Sequence, residues 1–258
     1  MVNKSLEERM LILEASNKQL RHEVERLHDI NKIQNLMSKE ALLFEAHLHE
    51  ERLKLIARKT PGVTIEWGAR GVFEGIEGAR RTIIDIEESF ERSHAAGMKK
   101  LFPDVKFPTI NAGMFESQLI GTPVIEIAGD GKTAKAVWIS LMAIGKTHEN
   151  DPKPTGNWLW WKSAADFVKE DGEWKIWHYL KDPIFVAPTN NDWLDLYMNM
   201  PPVPPPGSGK GLPGAHGNSP DRPATRQYNP YRITREPSYE PKPPEPYETF
   251  DGKDAYSY

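Results

Sequence analysis

Residues 121–145 read GTPVIEIAGDGKTAKAVWISLMAIG. Two strand-like runs, 123–127 and 135–144, flank Gly129-Asp130-Gly131, a turn signal between alternating apolar residues that makes the stretch a hairpin. Working downstream, 158–169 and 173–180 are two further strands joined through Asp171-Gly172. Upstream lie a strand at 113–120, a helix at 79–94 ending near Gly97, a turn region at 71–78 and a strand at 63–67. Helices first and then mostly antiparallel strands predict an α+β domain, not a parallel βαβ array. Seven of the eight tryptophans fall between Ile65 and Trp177 in these runs, the pattern of a curved sheet around an aromatic-lined cavity for a flat apolar molecule.

The whole chain has 258 residues, a net charge of −4 and interspersed acids and bases, which gives no basic footprint for nucleic acid. The opening MVNKSLEERM lacks an apolar signal core, and no run approaches a membrane span, so a protein of the cytoplasm is expected, with no membrane partner. The absence of cysteine excludes disulfides, thiolate metal sites and a cysteine nucleophile, and it fits a reducing compartment.

Three segments are expected. In 1–28, Leu6, Leu13, Leu20 and Leu27 recur every seven residues, with Met10, Asn17 and Val24 between them, behind a Ser5–Glu8 capping box. This amphipathic, coiled-coil-like helix points to a homo-oligomer. From Asp29 a second helix begins, its face formed by Ile30, Ile33, Met37, Ala41, Phe44, Leu48 and Leu55, and it ends before Pro61. It opens the domain 29–187. In the tail, 188–258, residues 201–258 hold 14 of the 22 prolines and six of the eight tyrosines. Proline excludes regular structure there, but Tyr228, Tyr231, Tyr239, Tyr247 and Phe250 are spaced like anchors for an extended strap.

The order helix, Gly71-Val72-Phe73-Glu74-Gly75, helix, the 121–130 stretch, Ala136-Val137-Trp138 and Asp171-Gly172-Glu173-Trp174-Lys175-Ile176 resembles the SnoaL-like branch of the nuclear transport factor 2-like superfamily, over roughly residues 29–185. The resemblance implies a cone-shaped α+β barrel, with helices closing a curved antiparallel sheet around one deep pocket. It also implies proton chemistry without a cofactor, as in polyketide cyclases, dehydratases, ketosteroid isomerase and formaldehyde-releasing lyases; other members only bind or assemble. Many relatives carry a tyrosine and an aspartate on the helix that here holds Glu40 and Glu45, and histidines on the strand that here holds Glu116 and Gln118.

His49 leads the candidates for acid–base work, four residues after Glu45 and thus on the same side of one helix. His178 follows from strand parity, which puts Trp174, Ile176, His178 and Leu180 on the inner face. Glu40, Trp67, Glu116, Gln118, Trp138, Ser140 and Trp160 are candidate substrate contacts; strand parity leaves two alternatives for Glu116 and Gln118, facing water or facing the cavity, where burial would raise the Glu116 pKa. No metal is expected, because His47 and His49 are two apart and would point about 200° from each other on a helix. The expected activity is a cofactor-independent lyase or dehydratase acting on an aromatic or polycyclic molecule, with release of water or formaldehyde. The alternatives are a binding or assembly module and a double-bond isomerase.

Overall fold

The computed structural model describes residues 5–68, 70–190, 219–226, 228–232 and 234–257. The parts of the expected tail at 191–218 and Tyr258 therefore lie outside the described residues.

Helix α1 is one element, Leu6–Glu45, where two were expected. Ser5 Oγ accepts the Glu8 N–H at 3.2 Å and Glu8 Oε2 accepts the Ser5 N–H at 2.8 Å, closing the capping box. Residues 6–28 are exposed throughout, a rod of about 35 Å at 1.5 Å per residue. From Asp29 the helix becomes amphipathic, burying Ile33, Met37, Ala41 and Phe44 against the sheet. Asp29 pins that transition: its carboxylate accepts from Trp174 Nε1 at 2.9 Å and Lys169 Nζ at 2.8 Å.

The chain leaves the helix at Ala46, His47 adopts a left-handed φ of 55°, and α2 restarts at His49–Leu53. Strand β1 is Thr64–Trp67, and β2, Gly71–Glu74, occupies much of the segment expected as a turn. Helix α3, Gly75–Arg80, runs through a π turn, Arg81–Asp85, into α4, Ile86–Leu101. Strands β3 (Phe115–Ile120), β4 (Val124–Ile127), β5 (Thr133–Lys146), β6 (Thr155–Glu170) and β7 (Glu173–Pro188) follow. Between β6 and β7, Asp171 (φ 51°) and Gly172 (φ 82°) supply the positive angles that a tight hairpin needs.

The sheet order is β2-β1-β7-β6-β5-β3, with β4 also paired to β5. The expected α+β cone, a curved sheet closed by helices, is what forms, and one detail differs: the sheet is mixed, because β1 runs parallel to β7, and it stays open at its edges. Its concave face packs on α1, α2 and the π turn through Ile33, Met37, Ile56, Ile65, Ile83 and Trp138. No described helix is long and apolar enough to cross a membrane.

A bulge in the β6–β7 pairing decides which residues enter the cone. Asp166 pairs with His178 but Phe167 pairs with Ile176, so Trp177 is the extra residue. Parity reverses there, and Tyr179, not His178, joins the concave core. His178 and Leu180 face the convex side, where Leu180 packs with Val137, Ala164 and Tyr256.

The described tail crosses that convex face without regular structure. Thr225 donates from N and Oγ1 to Glu66, Tyr231 N–H donates to Ile184 O at 2.6 Å, and Gly129 N–H donates to Tyr247 O at 2.9 Å. Phe250 packs on Trp177 with 4.8 Å between ring centroids. Tyr239, expected as an anchor, is 72% exposed instead.

Candidate active site

The interior of the cone carries ionised groups more than aromatic walls. Arg52, 2% exposed on α2, donates to Glu40 Oε1 on α1 at 2.9 Å from Nη2 and 3.3 Å from Nε. Burial works against the Glu40 carboxylate, but Arg52 holds it below its ordinary range. Glu40 Oε2 and Ser140 Oγ are sealed from solvent with no hydrogen-bond partner among the described residues. Glu40, Arg52, Trp67, Glu87, Tyr179 and Lys181 frame a space of about 10 Å³, room for one water at most. The expected deep aromatic pocket is thus filled at its floor by these side chains. Larger hollows lie elsewhere; one of about 710 Å³ sits between the tail and the convex face beside Asp182, Arg226 and Arg235.

Above that floor, α4 presents Glu91 to the break between α1 and α2. Glu91 Oε1 accepts from His47 Nδ1 and from His49 Nε2, both at 2.8 Å. Burial pushes the Glu91 carboxyl up, yet the hydrogen bonds from the two histidines outweigh it and hold it at about 2. The same contact raises His47 above its ordinary imidazole value. Arg52 Nη1 donates to His49 Nδ1 at 3.3 Å, which fixes the His49 hydrogen on Nε2 and occupies both ring nitrogens.

The two-apart argument against a shared ion therefore fails. With the helix broken at His47, the His47, His49 and Glu91 ligand atoms all lie within 4.8 Å of one another. These three are the group that could hold a metal among the described residues, although the tautomer set by Arg52 aims a hydrogen at Glu91. That places His49 in a hydrogen-bonded chain.

Glu116 on β3 points inward and is 3% exposed, with Lys146 Nζ 3.4 Å away. Burial and then the nearby Glu87 charge push its pKa up, against the pull of Lys146 and His47. Gln118, on the same strand, flanks the Tyr179 hydroxyl. Trp138 is core, 2% exposed and edge-on to Phe167. Trp67 lines the cone beneath Arg70, whose guanidinium lies 4.4 Å from its ring centroid.

Three expected placements are corrected. Glu45 closes α1 and accepts from Ser117 Oγ at 2.6 Å, so it does not share a helix with His49, whose carboxylate partner is Glu91. His178, put on the convex face by the bulge, donates from Nδ1 to Asp166 at 2.9 Å and stacks on Trp177 at 4.2 Å. Trp160 lies opposite the inward Trp161, is 37% exposed and stacks on Phe185. The sequence reading overlooked Glu87, Glu91, Arg52, Arg70 and Lys181. The legible signal for two of them was the i, i+4 pair Glu87 and Glu91, on a helix whose buried side also carries His94.

A sequence model of the SnoaL-like domain matches residues 25–179. The chain belongs to the SnoaL-like family of the nuclear transport factor 2-like superfamily. Among solved structures, it is similar to a hexachlorocyclohexane dehydrochlorinase, LinA-type3, from Novosphingobium barchaimii LL02. That match has 13% identity and a TM-score of 0.49, covering 70% of this chain and 99% of the other. A candidate scytalone dehydratase from Novosphingobium aromaticivorans is similar at 14% identity and a TM-score of 0.48, over 66% and 93% of the two chains. A protein of nuclear transport factor 2-like type with a cystatin-like fold, also from Novosphingobium aromaticivorans, matches at 12% identity and a TM-score of 0.41, over 68% and 91%. No curated protein matches the sequence.

Proposed function

We propose that the chain is a cofactor-independent lyase acting on a ring-bearing small molecule at the mouth of the cone, with Glu116 as base and His47 as acid. The observation that carries this reading is the pair Glu91 and Glu116, two buried carboxyl groups near one imidazole whose pKa values are pushed in opposite directions. Glu91 stays ionised and favours the protonated form of His47; Glu116, its affinity for protons raised, is the stronger base. In an elimination, Glu116 takes the proton from carbon, the double bond forms, and the leaving hydroxyl takes a proton from His47 and departs as water. Release of formaldehyde uses the same pair: Glu116 takes a hydroxyl proton, the carbon–carbon bond breaks, and the electron pair expels a neighbouring hydroxyl that His47 protonates.

His49 and Arg52 position Glu91 and Glu40 and do not exchange protons with substrate. The lack of cysteine suits the cytoplasm. Activity rises as pH passes the raised Glu116 pKa and falls as it passes the raised His47 pKa. Glu116→Gln should lower kcat by about 10²–10⁴ with the fold intact. A Glu116→Gln enzyme within threefold of the wild type removes Glu116 as the base. A second reading, an assembly module, draws on the exposed apolar residues of α1, Leu6, Leu13, Leu20 and Leu27.

A further inference from the structure

Two cations, Arg70 and Lys181, flank the Trp67 ring where it lines the cone. Arg70 places its guanidinium 4.4 Å from the Trp67 ring centroid and 5.9 Å from that of Phe90, and Lys181 Nζ lies 5.8 Å from the same Trp67 ring. Neither makes an ion pair among the described residues, whereas the more deeply buried Arg52 is matched by Glu40 at 2.9 Å. Arg70 Nη1 is sealed from solvent and meets no acceptor. Burial draws the pKa of both groups down, Glu87 opposing it at Arg70 and Glu40 opposing it at Lys181. A half-buried guanidinium with one sealed, idle N–H is a costly arrangement for a protein that merely folds, and it suits one that receives an anion.

We propose that the ligand of this site is an aromatic anion, whose carboxylate or phenolate oxygen accepts from the Arg70 guanidinium while its ring lies on the outer, half-buried side of Trp67, the space beneath that ring being only about 10 Å³. The planar guanidinium fork matches a carboxylate better than a neutral hydroxyl, and Lys181 adds a second positive charge near the same ring. Glu40 and Glu87 lie near enough to act on these two cations, but Glu40 is already taken by Arg52 and neither carboxylate is within ion-pair distance of Arg70 or Lys181. This inference rests on the acid–base reading of the same cone and names the substrate class for it.

The test is calorimetric titration of the full chain at pH 7 with naphthalene-2-carboxylate and with neutral naphthalen-2-ylmethanol, which differ at the oxygen-bearing group. The wild type should bind the carboxylate about tenfold or more tightly than the alcohol, the worth of one charge-assisted hydrogen bond. Arg70→Gln should abolish that preference and leave the alcohol unchanged, and Arg70→Lys should keep part of it. Equal affinities in the wild type, failure of the carboxylate to bind at millimolar concentration, or a preference that survives Arg70→Gln overturns the proposal. If Arg70→Gln does not fold, the wild-type comparison decides, because a true anion preference must also shrink as salt rises. Glu116→Gln separates the two readings: a variant that keeps wild-type turnover and the anion preference sinks Glu116 as the base and keeps the anion site, whereas lost turnover with no anion preference in the wild type does the reverse.

Discussion

Replacing Glu91 by glutamine tests the electrostatic centre of the site directly. In the native protein Oε1 of this side chain, 7% exposed, accepts two N–H bonds of 2.8 Å from His47 and His49. Burial alone would raise the carboxyl, and the two rings hold it at about 2 against an ordinary 4.5. At about 1.4 kcal/mol per pK unit, that gap amounts to at most about 3 kcal/mol of stability. Since the folded pKa lies below the unfolded one, the contribution is complete above pH 4.5 and drains away as pH falls through about 2. His47 has the opposite sign: its raised pKa contributes below 6.5, and the contribution is lost as pH rises through the folded value. Both terms are present together between roughly pH 4.5 and 6.5. The amide keeps the shape and an oxygen that both rings can still reach, but it loses the charge that makes those hydrogen bonds strong. Urea unfolding at pH 6 should therefore show a loss of about 2–3 kcal/mol, shrinking at pH 3, and the His47 resonance should titrate closer to its ordinary value. A variant as stable as the wild type at pH 6, or an equal loss at both pH values, would refute the two-histidine contact.

His178→Ala removes a buried ring from the convex face, so melting temperature should fall by several degrees while kcat stays within about threefold of the wild type; a large kcat effect in a stable variant would put His178 back in the site. Deleting residues 1–28 should lower the subunit number seen by light scattering without unfolding the domain, because residues 6–28 are exposed along their whole length; an unchanged mass would assign the helix no role in association. Trypsin should cut slowly after Arg226, whose guanidinium pairs with Glu240 at 2.9 Å, and after Arg235, which donates to Asn229 O at 2.9 Å. Rapid native cleavage at both with no loss of stability would show that the tail contributes nothing to the fold.

The features that sequence alone determined are the local ones. A capping box is closed by residues three apart, and the Asp171-Gly172 hairpin requires only two residues that tolerate positive φ, so Ser5–Glu8 and the β6–β7 turn were readable without the rest of the chain. Family membership was likewise legible in the order of turns and strands between Gly71 and Ile176, since that order survives wide change in side chains. The site was not, because two single-residue irregularities decide it. A left-handed His47 ends α1 and lets two histidines converge on a carboxylate from α4, where a continuous helix would have driven them apart. One extra residue at Trp177 flips the rest of β7, bringing Tyr179 and Lys181 into the cone and sending His178 under the tail. Neither irregularity has a local composition signal. A bulge or a broken helix turn is selected by what its neighbours can pack, here the Trp177 ring against Phe250 and the Glu91 carboxylate between two imidazoles, and those partners are brought together only by the folded chain.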